Sequence, residues 1–326
     1  MLDSYGRRIN YLRLSLTERC NLRCLYCRPL TPAQKLRHQE LLTYEELLRL
    51  CGVAAGLGVD RFKVTGGEPL VRRGCLDFLA RLKALPQAAQ VTLTTNGTLL
   101  AAAAQELKNI GLDGVNVSLD TCDAARYCHL TGAALLPQVL AGIDAALAAG
   151  LYVKLNCVPL ADMTDADLAN LWRLAAGNNL PLRFIELMPL GCNGSLRGLR
   201  GAQVWQRLER LGIRMRLRQA ERGALGNGPA VYYEAADNAA GRGLIGFIEP
   251  VHGKFCGRCN RMRLTSAGML KGCLYYQAGT DMRALLRGGA SDGELAAALR
   301  QAVYAKPLEH GFEKEAADFG MNEIGG

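Results

Sequence analysis

The sequence predicts an α/β protein: an incomplete (β/α)6 barrel over residues 1–211, with a partly antiparallel β segment over residues 212–326 closing it. Three observations carry that expectation. Six β-rich runs alternate with segments of helical periodicity. The connections are short, so the strands run parallel through right-handed crossovers. The chemistry-bearing residues cluster at the C-terminal ends of those runs, where barrel sites lie.

The β-rich runs are Tyr11–Leu16, Arg61–Thr65, Gln90–Thr95, Gly114–Asp120, Leu151–Val158 and Leu182–Met188. After the first, Thr43 and Glu46 form a capping box for a helix carrying Leu47, Leu50, Val53 and Leu57, with Gly56 and Gly58 as its stop. Pro137 opens a further helix that ends at Gly150. Thr164 caps another, with Leu168, Leu171 and Leu174 on one face and Gly177 as terminator. Beyond about residue 212 the texture changes to short strand-like runs (Ile213–Arg218, Ala230–Glu234, Leu244–Glu249, Arg261–Thr265, Met269–Leu274) between Gly-rich turns. Asp292–Tyr304 reads as a last helix, and no Pro/Ser linker separates the two parts.

Of 326 residues 49% are hydrophobic, enough for one large core. No long uncharged apolar run and no signal-peptide pattern occurs, so a cytoplasmic protein without membrane contact is expected. The net charge of +9 suits an anionic ligand, a nucleotide or a nucleic acid. The densest basic stretch, Arg197 to Arg222, interleaves apolar residues at helical or alternating spacing and is expected to be a solvated amphipathic face. Twelve cysteines in a chain of this size argue against a disulfide scaffold. Two groups stand out, Cys20/Cys24/Cys27 and Cys256/Cys259/Cys273; Cys51, Cys75, Cys122, Cys128, Cys157 and Cys192 are read as small apolar fillers.

Cys20-Asn-Leu-Arg-Cys24-Leu-Tyr-Cys27 follows a strand and precedes Pro29, which places it in a loop rather than on a buried helix. Three loop thiolates hold an iron–sulfur cubane and leave one iron open for a ligand. Thr65-Gly66-Gly67-Glu68-Pro69 ends the second strand; its glycines admit a ligand to the backbone, and Glu68 and the carbonyls accept bonds from an ammonium group. Cys256, Cys259 and Cys273 fit a zinc site with His252 or a second cluster, and spacing does not separate the two. Arg261 and Arg263 point the same way on a strand and match phosphate oxygens. Gly241-Arg-Gly-Leu-Ile-Gly246 spells a dinucleotide fingerprint, but a strand rather than a helix follows it.

The pairing of the first cysteine group with Gly66-Gly67-Glu68-Pro69 resembles the radical S-adenosylmethionine superfamily. The motifs Leu12-Arg-Leu-Ser15, Thr94-Thr-Asn-Gly97, Val117-Ser-Leu-Asp120, Lys154-Leu-Asn156, Arg183–Met188, Phe255–Arg261 and the terminal Gly325-Gly326 narrow the resemblance to the GTP 3′,8-cyclase family of molybdenum cofactor biosynthesis. It spans essentially the whole chain. The resemblance implies two 4Fe–4S clusters, held by Cys20, Cys24, Cys27 and by Cys256, Cys259, Cys273. It implies S-adenosylmethionine against Tyr26, Gly66, Gly67, Glu68, Ser118 and Met188. GTP would be gripped by Arg13, Arg61, Lys63, Thr94, Lys154, Arg261 and Arg263, with Arg61 and Lys63 reversed in type relative to the family. Gly325 and Gly326 would enter the active-site mouth. Implied partners are an electron donor and a downstream cyclic pyranopterin monophosphate synthase, with no nucleic acid; a homodimer is left open. The rivals are another two-cluster radical enzyme and a metal-binding nucleic-acid protein, the latter leaving Thr65–Pro69 without a purpose.

Overall fold

The computed structural model describes residues 1–27, 36–190, 196–218, 228–312, 321 and 324. The first six strands are β1 (Tyr11–Ser15), β2 (Arg61–Thr65), β3 (Gln90–Thr95), β4 (Gly114–Ser118), β5 (Val153–Cys157) and β6 (Leu182–Ile185). They pair in sequence order, all parallel. Between and around them lie α1 (Tyr44–Gly56), α2 (Cys75–Lys83), α3 (Leu100–Asn109), α4 (Ala124–Thr131), α5 (Leu136–Ala148), α6 (Asp165–Gly177) and α7 (Gly201–Arg210). The C-terminal part adds β7 (Arg214–Leu217), β8 (Val231–Asp237), β9 (Gly241–Ile248), β10 (Arg261–Leu264), β11 (Met269–Lys271) and β12 (Thr280–Asp281), then α8 (Met282–Arg287) and α9 (Asp292–Tyr304).

The C-terminal strands join both edges of the same sheet. β10 pairs parallel to β1 and β9 parallel to β6; β11–β12 and β8–β7 continue antiparallel beyond them. The resulting order is β12-β11-β10-β1-β2-β3-β4-β5-β6-β9-β8-β7, an open sheet rather than a ring. It nonetheless curls. Laid flat, Arg13 on β1 and Arg183 on β6 would stand ~24 Å apart, at ~4.8 Å per strand step, too far for a strong mutual effect through solvent. Arg183 is nevertheless among the charges that depress the Arg13 guanidinium.

Alternation along each strand sorts side chains onto two faces. Leu12, Leu14, Phe62, Val64, Val91, Leu93, Val115, Val117, Val153, Leu155, Leu182 and Phe184 are buried in the main core beneath the helices. Each such side chain contributes ~1.5–3 kcal/mol by leaving water. The opposite phase holds Arg13, Lys63, Thr94, Asn116, Ser118, Lys154 and Arg183 and lines the concave face.

Helix ends follow local chemistry. Thr43 and Thr164 form the capping boxes of α1 and α6, with Glu46 and Asp167 closing them. Gly58 and Gly150 take the left-handed conformation just beyond α1 and α5. Gly177 behaves otherwise: it stays inside α6, and Asn179 takes the positive φ of 52°. Gly241–Ile248 is indeed a strand, so the apparent dinucleotide fingerprint has no helix to open. Strands β4, β5 and β6 stop earlier than their hydrophobic runs, and the residues left over, Asp120, Val158 and Glu186–Met188 among them, form the mouth. Among the described residues no single helix is long and apolar enough to cross a membrane.

Candidate active site

The loop after β1 carries Cys20, Cys24 and Cys27, the first exposed and the others half-buried. Three anchorages fix it. Gly67 and Glu68 donate their N–H groups to the carbonyls of Thr17 (2.6 Å) and Arg19 (2.8 Å). Asn96, at the end of β3, donates to the Asn21 side chain at 2.8 Å and reaches the Cys20 sulfur at 3.6 Å. Arg23 and Leu25 donate to the carbonyls of Thr131 (2.7 Å) and Leu130 (3.0 Å) at the end of α4.

Gly66 and Gly67 are required by the chain itself. A Cβ at Gly66 would stand 2.6 Å from the Thr17 carbonyl oxygen, and one at Gly67 2.5 Å from that of Arg19. The cysteine loop therefore packs directly on the two glycines. Glu68 is held within the chain. Its carboxylate is fully buried and accepts bonds from Leu70 N (3.1 Å), Thr95 Oγ1 (2.8 Å) and Asn96 N (2.7 Å). Burial raises it to about 7 despite those bonds. Its side chain ties the ends of β2 and β3 together.

Tyr26 donates its hydroxyl to Asp120 Oδ2 at 2.6 Å, and Asp120 Oδ1 accepts the Val158 N–H at 2.8 Å. Burial lifts Asp120 to about 6. Ser118 ends β4 opposite Asn156 on β5. Met188 lies beyond the end of β6, packed on a small second core of Leu190, Phe312 and Ile324. The Cys24 thiol is pushed well up by burial, then by Cys27, Asp120 and Cys20. Three sulfurs gathered in one loop, with Cys24 inside the field of Cys27 and Cys20, are the donor set that an iron–sulfur cluster satisfies, so these residues fit such a group.

The concave face below is cationic. Register places Arg263, Arg13 and Lys63 side by side across β10, β1 and β2, with Arg261 two residues below Arg263. Lys154 sits opposite Asn116, which lies opposite Thr94. Burial lowers Arg13 to about 10 and Arg263 to about 9, each further depressed by Arg261. Burial, then Arg183, brings Lys154 to about 7, where its ammonium lies 4.9 Å from the centre of the Tyr152 ring. Lys63 falls well below its usual value through burial, then through Arg183, Arg13, Lys154 and Arg261.

Arg61 opens β2 opposite Tyr11, two residues before Lys63, and pairs with Asp60 at 3.5 Å. Arg183 joins the cluster. It is 5% exposed, donates to Asn116 Oδ1 and keeps a buried Nε without a partner, as Asn156 keeps its Oδ1. Arg183 shares the strand phase of the inner face, so the alternation of β6 contained the signal that would have found it.

Cys256 and Cys259 bracket a short 3-10 turn, and the β10–β11 hairpin returns the chain to Cys273. Burial pushes Cys256 up; at Cys259 the pull of Lys306 and Arg261 outweighs burial and holds the thiol below its usual value. Lys306 is 3% exposed and donates to the carbonyls of Arg261 (2.9 Å) and Gly272. Nothing in the sequence marked Lys306. His252 turns to Glu186. Among the described residues no three metal-ligating side chains gather around a single ion; a cubane spreads its thiolates over separate corners. Cys51, Cys75 and Cys157 are buried fillers, Cys122 is half-buried and Cys128 is exposed, contrary to expectation. Cys192, Gly325 and Gly326 lie outside the described residues.

A parallel (β/α) sheet with this cysteine loop seated on Gly66-Gly67 is the architecture of a radical S-adenosylmethionine enzyme. The radical SAM superfamily model matches residues 14–175, and the model described as Molybdenum Cofactor Synthesis C matches residues 180–312. The fold resembles the crystal structure of Streptococcus suis SuiB bound to its precursor peptide SuiA, with a TM-score of 0.65 at 14% identity, covering 98% of this chain and 71% of that one. Within the superfamily the chain belongs to the GTP 3′,8-cyclases. It is 44% identical over 315 residues to that of Heliobacterium modesticaldum (95% of this chain, 94% of the relative) and 42% identical over 330 residues to that of Moorella thermoacetica (100% of each). The Paracoccus denitrificans relative is 44% identical over 319 residues, 96% of this chain and 90% of its own length.

Proposed function

We propose that this chain converts GTP to 3′,8-cyclo-7,8-dihydro-GTP: hydrogen leaves ribose C3′, and C3′ joins C8 of the guanine. The observation that carries this reading is the group Arg13, Lys63, Lys154, Arg183, Arg261 and Arg263 on the concave face, Lys154 and Arg183 buried and the other four half-buried. Cations this crowded are stabilised by a polyanion between them, and the triphosphate of GTP supplies one.

Cys20, Cys24 and Cys27 would hold one 4Fe–4S cluster, and Cys256, Cys259 and Cys273 would hold a second that serves the purine end of the substrate. Cluster and S-adenosylmethionine, when bound, supply a carbon radical able to take hydrogen from the ribose. The remaining work belongs to the chain. Gly66, Gly67, the Tyr26 backbone, Ser118 and Met188 hold the methionyl and adenosyl parts. The cations fix the triphosphate at one end of the substrate and so position C3′ at the other. Thr94, on the same face, borders the nucleotide. Gly325-Gly326, outside the described residues, would serve at the mouth to exclude competing hydrogen donors. An electron donor and an enzyme that forms cyclic pyranopterin monophosphate complete the setting, in the cytoplasm.

The test is anaerobic turnover of reconstituted, reduced protein with S-adenosylmethionine, with and without GTP. Deoxyadenosine that rises with GTP alongside a cyclised nucleotide is expected. Deoxyadenosine with no nucleotide product would overturn the substrate assignment, and iron uptake with neither product would overturn the cyclase reading.

A further inference from the structure

Lys306 stands where α9 gives out. The helix ends at Tyr304, Ala305 caps it, and Pro307 disfavours helical geometry at the residue before it. The side chain is drawn inward: Lys306 is 3% exposed. Its ammonium donates to the carbonyls of Arg261, at 2.9 Å, and of Gly272. Arg261 is two residues after Cys259, and Gly272 directly precedes Cys273. One ammonium therefore joins both arms of the chain that carry those cysteines. Gly272 makes room for it, since a Cβ there would stand 3.2 Å from Lys306 Cα and 3.5 Å from its Cβ and Cγ. Electrostatically, Lys306 acts on Cys256 as well as on Cys259, and Cys256 feels Cys273 and Cys259 in turn.

Arg7 holds the same segments and shows what sets Lys306 apart. Its buried guanidinium donates to the carbonyls of Cys256 and Leu308 at 2.8 Å each and of Pro307 at 2.7 Å. Asp3 Oδ2 lies 2.5 Å from its Nε, so that charge is matched. Among the described residues Lys306 donates to carbonyl oxygens and to no carboxylate. A buried ammonium in neutral surroundings is costly unless an anion lies near. A metal cluster held by neighbouring thiolates is such an anion.

We propose that Lys306 balances the second cysteine group: its ammonium offsets part of the negative charge of a cluster held by Cys256, Cys259 and Cys273 and so sets that cluster's reduction potential. The proposal rests on the reading that those cysteines hold a cluster. A cluster bound by three thiolates is anionic and becomes more so on reduction. A fixed cation beside it favours the reduced form, and burial strengthens the effect by keeping the dielectric between them low. Lys306 is a positioning residue, acting through the cysteines rather than on the substrate.

The experiment isolates the second cluster in the full-length chain carrying Cys24→Ser, reconstituted with iron and sulfide and titrated anaerobically with electron paramagnetic resonance as the readout. Adding Lys306→Met should lower the potential by about 59–118 mV, a 10- to 100-fold shift of the reduction equilibrium at 59 mV per tenfold for one electron. Lys306→Arg keeps the charge and should stay near the value of the unaltered lysine. An unchanged potential in Lys306→Met, or an equal fall in Lys306→Arg, would overturn the proposal. Should Lys306→Met take up no cluster, iron content decides. Uptake by Lys306→Arg alone supports the role of charge, and failure of both variants assigns Lys306 to packing and overturns it. Absence of iron from the Cys24→Ser protein with Lys306 intact would instead refute the cluster reading on which this rests.

Discussion

Lys154 is where the cost of crowding cations on the inner face is most readily measured. Its ammonium is brought from 10.5 to about 7 by burial and Arg183. At 1.36 kcal/mol per pKa unit, that shift corresponds to at most about 5 kcal/mol of destabilisation by the charged form. The folded value lies below the unfolded one, so the penalty is complete below pH 7 and fades as pH rises from about 7 towards 10.5. Lys154→Met should therefore raise the melting temperature of the nucleotide-free protein, with a larger gain at pH 6 than at pH 9. The same change removes a charge-assisted phosphate bond worth roughly 1.5–3 kcal/mol, so GTP affinity should fall about 10- to 150-fold. Scanning fluorimetry in phosphate-free buffer at the two pH values, paired with nucleotide titration, reads both. A variant that is less stable by the same amount at both pH values and binds GTP normally would refute the idea that Lys154 is held against its electrostatic interest for a phosphate.

In Gly67→Ala the new methyl meets the Arg19 carbonyl oxygen at 2.5 Å. The cysteine loop must shift, and a cost of ~1–3 kcal/mol should appear as slower or incomplete iron uptake; normal iron content and normal deoxyadenosine formation would contradict this. Cys259→Ser should leave about half the iron and retain deoxyadenosine formation while cyclised nucleotide is lost, whereas Cys24→Ser should lose both products; iron analysis with product assay checks the pair. Removing Gly325-Gly326 should abolish cyclisation with the iron content unchanged, and undiminished turnover of the truncated chain would refute the role assigned to the tail.

The inner face shows how the two levels of reasoning divide. Arg261 and Arg263 were legible because period-two alternation puts them on one side of a strand, and the neighbouring strands follow the same rule. Period two does not say which strands meet. That β10 lies beside β1, setting Arg263 next to Arg13, comes from a pairing across roughly 250 residues that no local pattern encodes. Arg61 shows a partner that only the fold reveals: its guanidinium pairs with Asp60 at the start of β2. Glu68 was legible as part of a motif and not as to role, because its three donors come from Leu70 and from the end of β3.

By itself the sequence determined the class of fold, the parallel order of the first six strands, the cysteine triads and the family, since each depends on short-range periodicity or on spacing within one loop. Tertiary structure decided which cations face one another, why Gly66 and Gly67 carry no side chain, and how Lys306 comes to lie beside Cys259. Those facts depend on burial and on charges brought together from distant segments, and a buried charge takes its energy from every neighbour at once.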